Sequence, residues 1–547
     1  MSQQIDTLFT GGSVFRPGSG SSVRAAVAVA GGQIAAVGPD AELAALAGPD
    51  TDVVDLAGGL LLPGFQDAHV HPVMGGLAMR QCELHGTASA QECLDIVATY
   101  AAEHQDLEWI VGGGWSMEFF PGGTPTRQAL DSVVPDRPVY LTNRDGHGTW
   151  VNTLALELAG VDAGTPDPQD GRIERDADGN PTGALHEGAG ALVGRLLPDT
   201  SDDDMYAGLL AAQDLLFSLG ITAWQDAAVG RLFGLDDIYP IYLSAARSGD
   251  LKARVVGALW WERELGAEQI PGLVARRTEG RVGRFAATSV KIMQDGVAEN
   301  FTAAMLEPYL DHDGCATSNA GLSFVDPVAL RDHVTQLDAA GFQVHFHALG
   351  DRAVREALDA IEAARAANGP SDGRHHLAHL QVVHPDDVPR FARLGAVANI
   401  QPLWAAHEPQ MDELTIPFLG ARRAAWQYPF GDLLRAGSPM AAGSDWSVSS
   451  PNPLDGIHVA VNRVAPGTDR EPLYAQNRIT LAEATTAYTA GSAFVNHLDG
   501  VTGRLEVGYL ADLAVLDRDV FAFPTDEIAD ARVVATYVEG ERVFSAT

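Results

Sequence analysis

Lysine is nearly missing from this chain. Of 36 basic side chains in 547 residues, only Lys252 and Lys291 are lysines, and every other one is arginine. Cysteine is also scarce: Cys82, Cys93 and Cys315 show no CxxC spacing, and an odd number cannot all pair. That excludes a disulfide framework and a cysteine-rich zinc site. Acidic residues outnumber basic ones 72 to 36, and a net charge of −36 argues against nucleic acid or an anionic membrane as partner. No apolar run approaches the ~20 residues of a membrane span. The opening MSQQIDTLFTGG has no basic segment leading into an apolar one, so a cytoplasmic protein is expected. With 46% hydrophobic and 20% charged residues, the chain can bury a sizeable core.

Both ends read as short strands. TLFTGGSVF, AAVAVAGGQIAAVG and TDVVDLAGGLLLPGF near the start, and GRLEVGYLADLAVLDRD and ARVVATYVEGERVF near the finish, alternate apolar residues between glycine-rich turns. A β-sandwich built from residues 1–62 and 485–547 is the expectation. Between them, β-branched runs at 64–71, 222–227, 254–259, 288–293, 343–347, 376–381, 396–401 and 440–446 alternate with amphipathic helical patterns such as VALRDHVTQLDAAG. Eight such repeats predict an α/β fold, a (β/α)8 TIM barrel over 63–484. A long insertion, about 80–215, follows the first strand and contains a polar hairpin, DPQDGRIERDADGNPTG.

In DAHVH, His69 and His71 stand two apart on a strand and so face one side. At the C-terminal end of a barrel strand that side is the active-site mouth. Later strand ends add His345 and His347 (VHFHALGD), His375, His376 and His379 (RHHLAHLQ) and Asp445 (MAAGSDW). One such histidine is usually a packed or surface residue. Four strand ends carrying His or Asp point to a divalent metal such as zinc. Lys291 lies in the apolar run TSVKIM, where an unpaired ammonium costs several kcal/mol. Burial favours the neutral amine, which can add CO₂ to form a carbamate, whereas arginine stays protonated. The alternative for Lys291 is a plain salt bridge to Asp295 or Asp226.

The order HxH, strand Lys, strand His, strand His, strand Asp resembles the amidohydrolase superfamily. With NRDGHGTWVN, VKIMQDG, HFHALGDRAV, HLAHLQVV and GSDWSVSSPNPLDG, it is most similar to the YtcJ-like branch of metal-dependent hydrolases that includes N-substituted formamide deformylase. The resemblance implies that His69, His71 and Asp445 hold one metal and that His347 and His379 hold a second. Carboxylated Lys291 would bridge the two, and one metal alone is the variant. It prefers His347 over His345, which strand parity leaves open because both face the same way, and it prefers His379, for its place before LQVV, over His376 as the alternative. It also implies that Asp445 moves the proton of the attacking water to the departing nitrogen, and that a small molecule is the substrate of a homodimer or larger homo-oligomer.

Asp145, His147 and Glu187 resemble family positions that bind or orient substrate. Trp115 and Trp404 are candidates for an aromatic wall, with core packing as the alternative. His407, just past a strand end, ranks low. Two other readings stand beside a C–N hydrolase. A mononuclear deaminase of a heterocycle would call for a glutamate beside the fifth-strand histidine, which HFHALGD lacks. A non-catalytic relative would have lost metal ligands, and this chain keeps them all.

Overall fold

The computed structural model describes residues 4–231 and 235–546. Its central sheet contains the eight expected strands: β1 (Phe65–Val70), β2 (Ile221–Val229), β3 (Arg254–Trp260), β4 (Phe285–Met293), β5 (Gln343–Ala348), β6 (His376–His379), β7 (Val397–Ile400) and β8 (Met440–Ala442). Each pairs in parallel with the next, from β1 through to β8. β1, β2 and β5 are buried along their whole length, as a parallel sheet covered on both faces requires. Helices cover the outside and share one apolar cluster with the strands through Leu209, Leu216, Val354 and Ile361. The helix Asp202–Ser218 starts where Ser201 caps the Asp204 amide and three aspartates face its positive end. No helix among the described residues is long and apolar enough to cross a membrane.

The barrel closes between β8 and β1 through backbone bonds that flank the chemistry. Asp445 N–H donates to His69 O at 2.7 Å and His71 N–H donates to Trp446 O at 2.8 Å. Gly443 permits this approach, because a Cβ there would lie 2.6 Å from His69 N.

The two ends of the chain share one sheet. Leu60–Pro63 pairs with Leu513–Leu516 and, on its other side, with Ser13–Val14. A second sheet, from the N-terminal region alone, packs over it through Phe9, Val27, Leu61, Leu513 and Tyr537. A third sheet lies between residues 82 and 187, with its own core of Trp115, Trp150, Leu130 and Leu141. Its edge is the polar hairpin Gly171–Arg175 and Pro181–Glu187, turned by Asp176 accepting from the Asp178 and Asn180 amides.

Candidate active site

His69 is the last residue but one of β1, and His71 stands at the N-cap of the helix Pro72–Ala78 directly after it. His379 ends β6, and Asp445 follows β8. One ligand atom from each of His69, His379 and Asp445 falls within 4.8 Å of the others. His69 Nε2 and His71 Nε2 lie 3.2 and 3.0 Å from Asp445 Oδ1, and His379 Nδ1 lies 3.8 Å from Oδ2. His379 (φ 79°) and Asp445 (φ 57°) are held in the left-handed region that non-glycine residues rarely adopt. Such strain persists only where the surroundings fix it. The His347 ring stands 4.4 Å from that of His379, and Trp404 stacks on the His379 ring at 5.3 Å and 5°.

Lys291 is paired in register with His345 and faces inward, 3% exposed. Neither expected carboxylate meets it. Asp295 accepts the amides of Ala304, Leu349 and Gly350, and Asp226 accepts the Tyr242 hydroxyl and the Ala228 amide. Burial pulls the Lys291 ammonium down to about 7, against the attraction of Asp445, so near neutrality much of it is free amine. Burial also lowers His69, His347 and His379, leaving neutral imidazoles of the kind that ligate metal.

The buried atoms His71 Nδ1, His379 Nδ1, Lys291 Nζ and Asp445 Oδ1 have no hydrogen-bond partner among the described residues. Orphaned buried polar atoms are costly in an empty protein core, and two of these, on His379 and Asp445, belong to residues of the cluster just described. A divalent ion suits this imidazole and carboxylate donor set and would satisfy it. His345 and His376 are excluded from that role by their other bonds. His345 meets Gln225 and His69, and His376 meets Gln225 and Asn399, so both rings are engaged at both nitrogens one level deeper in the barrel. His375 is held by Asp338 at 3.1 Å, and His407 by Asp412 at 2.6 Å.

Above the cluster opens a cavity of about 510 Å³ lined by His347 and Asp445, together with Asp145, His147, Trp404 and Tyr428. Arg144, Glu299 and Glu408, which motif reading did not single out, line it too. Glu187 does not. It sits behind His147, accepting at 2.8 Å from Nδ1, and its other oxygen accepts from Thr302. Against the pull of burial, that carboxylate raises His147 to about 9. Glu187 therefore orients a residue of the wall rather than forming it.

Trp115 also needs correction, since it is fully buried, donates to Leu141 O at 2.9 Å and packs edge-on against Phe120 and Trp150. It holds the inserted sheet together. Trp115→Ala is expected to cost about 3–5 kcal/mol in denaturant unfolding. Trp404→Ala, on the cavity wall, is expected to raise KM by about tenfold with a smaller loss of stability. The two effects together test the assignment.

Asp67 was also missed. Its carboxylate accepts from the His69 and Ser444 amides and the Ser444 hydroxyl, tying β1 to the loop that carries Asp445. The only signal was the first letter of DAHVH.

The pattern of the Amidohydrolase family matches residues 52–544. Protein LONG AFTER FAR-RED 3 of Arabidopsis thaliana is 33% identical over 98% of this chain and 91% of its own. YtcJ of Bacillus subtilis is 30% identical over 90% of each chain. N-substituted formamide deformylase of Arthrobacter pascens is 28% identical over the whole of both. Among solved structures, an uncharacterized metal-dependent hydrolase from Pyrococcus furiosus superposes with a TM-score of 0.68 at 26% identity, covering 94% of this chain and 99% of that one.

Proposed function

This chain belongs to the amidohydrolase family, and from that premise we propose that it is a metal-dependent hydrolase opening an amide-type C–N bond. N-substituted formamides and cyclic amides are the substrate classes. The observation that carries this reading is the convergence of His69, His379 and Asp445 within 4.8 Å, with Asp445 also lining a substrate-sized cavity. The deformylase relative, aligned over the full length of both chains, favours the amide among C–N bonds.

His69, His71 and Asp445 would hold one divalent ion such as zinc, and His347 and His379 would hold a second, with Lys291, as a carbamate on Nζ, a further ligand. Zinc bound there acts as a Lewis acid and brings water's acidity near neutrality. Asp445 takes the proton of the attacking water and delivers it to the departing nitrogen, which leaves poorly as an anion. His147 is fixed through Nδ1 by Glu187, so its Nε2 is the nitrogen that meets the substrate carbonyl oxygen. Trp404 gives an apolar N-substituent a flat wall beside His379. The products are a carboxylic acid, formic acid in the formamide case, and an amine.

The test is hydrolysis of a panel of formamides, N-acyl amines and cyclic amides by the full chain, before and after chelation and again with zinc restored. Amine release that chelation abolishes and zinc returns is the expected result. Undiminished turnover in metal-free buffer would remove the reading.

A further inference from the structure

Beneath the proposed ligands lies a buried layer of amides and imidazoles that the chemistry above does not use: Gln225 on β2, Gln343 and His345 on β5, His376 on β6, and Asn399 on β7. Their hydrogen-bond directions can be worked out from backbone groups whose roles are fixed. Gln343 Nε2 faces the carbonyl oxygens of Arg374 and Val495 at 2.9 and 2.7 Å, so it donates and Gln343 Oε1 accepts. Gln225 Nε2 lies 3.1 Å from that oxygen and 3.2 Å from Asn496 Oδ1. Gln225 Oε1 therefore points the other way, toward the imidazoles.

A second, independent route gives the same answer. The His379 amide donates to Gln401 Oε1 at 2.7 Å, so Gln401 Nε2 donates to Asn399 Oδ1. Asn399 Nδ2 then donates to Ala68 O at 2.9 Å and to His376 Nδ1 at 3.1 Å. His376 thus carries its proton on Nε2, which meets Gln225 Oε1 at 3.0 Å. Both routes end with the same amide oxygen as acceptor.

His345 presents Nδ1 to that oxygen at 2.7 Å and so donates there. It is fully buried and packs against the rings of His69 and His376 rather than a carboxylate, so it carries one proton. Its Nε2 is then a bare acceptor, 2.8 Å from His69 Nδ1, which must donate. The lone pair of His69 is left on Nε2, facing Asp445 Oδ1 at 3.2 Å. Two acceptors face one another, and only a positive charge between them reconciles the pair.

We propose that Gln225, acting through His345, is a positioning residue that fixes His69 in the Nδ1–H tautomer and so presents the Nε2 lone pair to a metal before the metal arrives. A ligating histidine commonly donates its second nitrogen to an oxygen acceptor, and losing such a partner typically costs 10–100-fold in metal affinity. Here the acceptor is a second imidazole whose own tautomer is set by an amide from a neighbouring strand. The proposal rests on the assignment of His69 as a metal ligand.

The test uses the full chain, zinc competition against a chromophoric chelator, and ring ¹⁵N–¹H spectra of histidine-labelled, metal-free protein. The His69 signal is identified by its loss in His69→Ala. Gln225→Met removes the acceptor while keeping the volume. It is expected to weaken zinc 10–100-fold and to let proton density appear on His69 Nε2. If that variant does not fold, His345→Phe reads the same two quantities with the same expected direction. His376→Phe removes an equally buried ring from the same Gln225 oxygen without breaking the path to His69. It should leave zinc affinity within about threefold, whereas a merely structural role would make the variants alike. An unmodified protein with the His69 proton on Nε2, or unchanged zinc affinity in Gln225→Met, would overturn the proposal. Failure of the unmodified protein to bind zinc would instead defeat the metal reading, and the metal-free spectrum would still decide the tautomer.

Discussion

Asp445→Asn is expected to lower kcat by about 10³–10⁴-fold while leaving far-ultraviolet circular dichroism unchanged. The amide is nearly isosteric and keeps an oxygen toward His69 and His71, whose Nε2 atoms lie 3.2 and 3.0 Å from Oδ1. It cannot accept a proton from water, and positioned proton transfer contributes about 10²–10⁴-fold. It also takes a negative charge from the ligand set, so metal content should fall together with turnover. Turnover close to that of the unmodified enzyme, measured on the best substrate of the amide panel, would take Asp445 out of the proton path.

Lys291→Arg is expected to be nearly as damaging although it preserves formal charge. Lys291 Nζ is buried without a hydrogen-bond partner, and its ammonium is pulled down to about 7. A guanidinium cannot shed its proton and cannot become a carbamate. It would place an uncompensated charge where the protein now tolerates a neutral amine, a cost of about 3–5 kcal/mol. If Lys291 helps to hold an ion, as proposed, its loss would remove several kcal/mol of transition-state stabilisation, so kcat/KM should fall by about 10³-fold or more. The denaturation midpoint and the metal-to-protein ratio should both decline. A fully active arginine variant would end the carbamate argument.

The barrel was legible because its strands are short β-branched runs that end in reactive residues, with amphipathic helices between them. All eight strands stand where that pattern put them. Depth along a strand was not legible. His345 and His347 face the same way, and only the fold shows one of them engaged below the mouth by Gln225 and His69. On the short strand β6 the fold again separates two histidines, engaging His376 with Gln225 and Asn399 and leaving His379 beside Asp445. Gln225, Gln343 and Asn399 were invisible for a related reason: a glutamine inside an apolar run has no motif, and its role comes from strands 118 and 151 residues away in the chain. Which alternative Trp115 follows, and on which side of the wall Glu187 stands, was open in the sequence because the inserted sheet carries its own core and its own inner and outer faces, which sequence spacing does not locate.

The strand Leu60–Pro63 runs into β1 through a single residue, Gly64, whose amide donates to Asp512 O. The segment that carries His69 is thus anchored on a strand more than 440 residues further along the chain. At about 5–20 residues per second, a ribosome needs roughly 25–90 s to travel from β1 to the strand beginning at Leu513. Until then Leu60–Pro63 has no neighbour on the side that Leu513–Leu516 comes to occupy, so the Gly64–Asp512 bond that fixes the start of β1 forms only after all eight barrel strands have been synthesised.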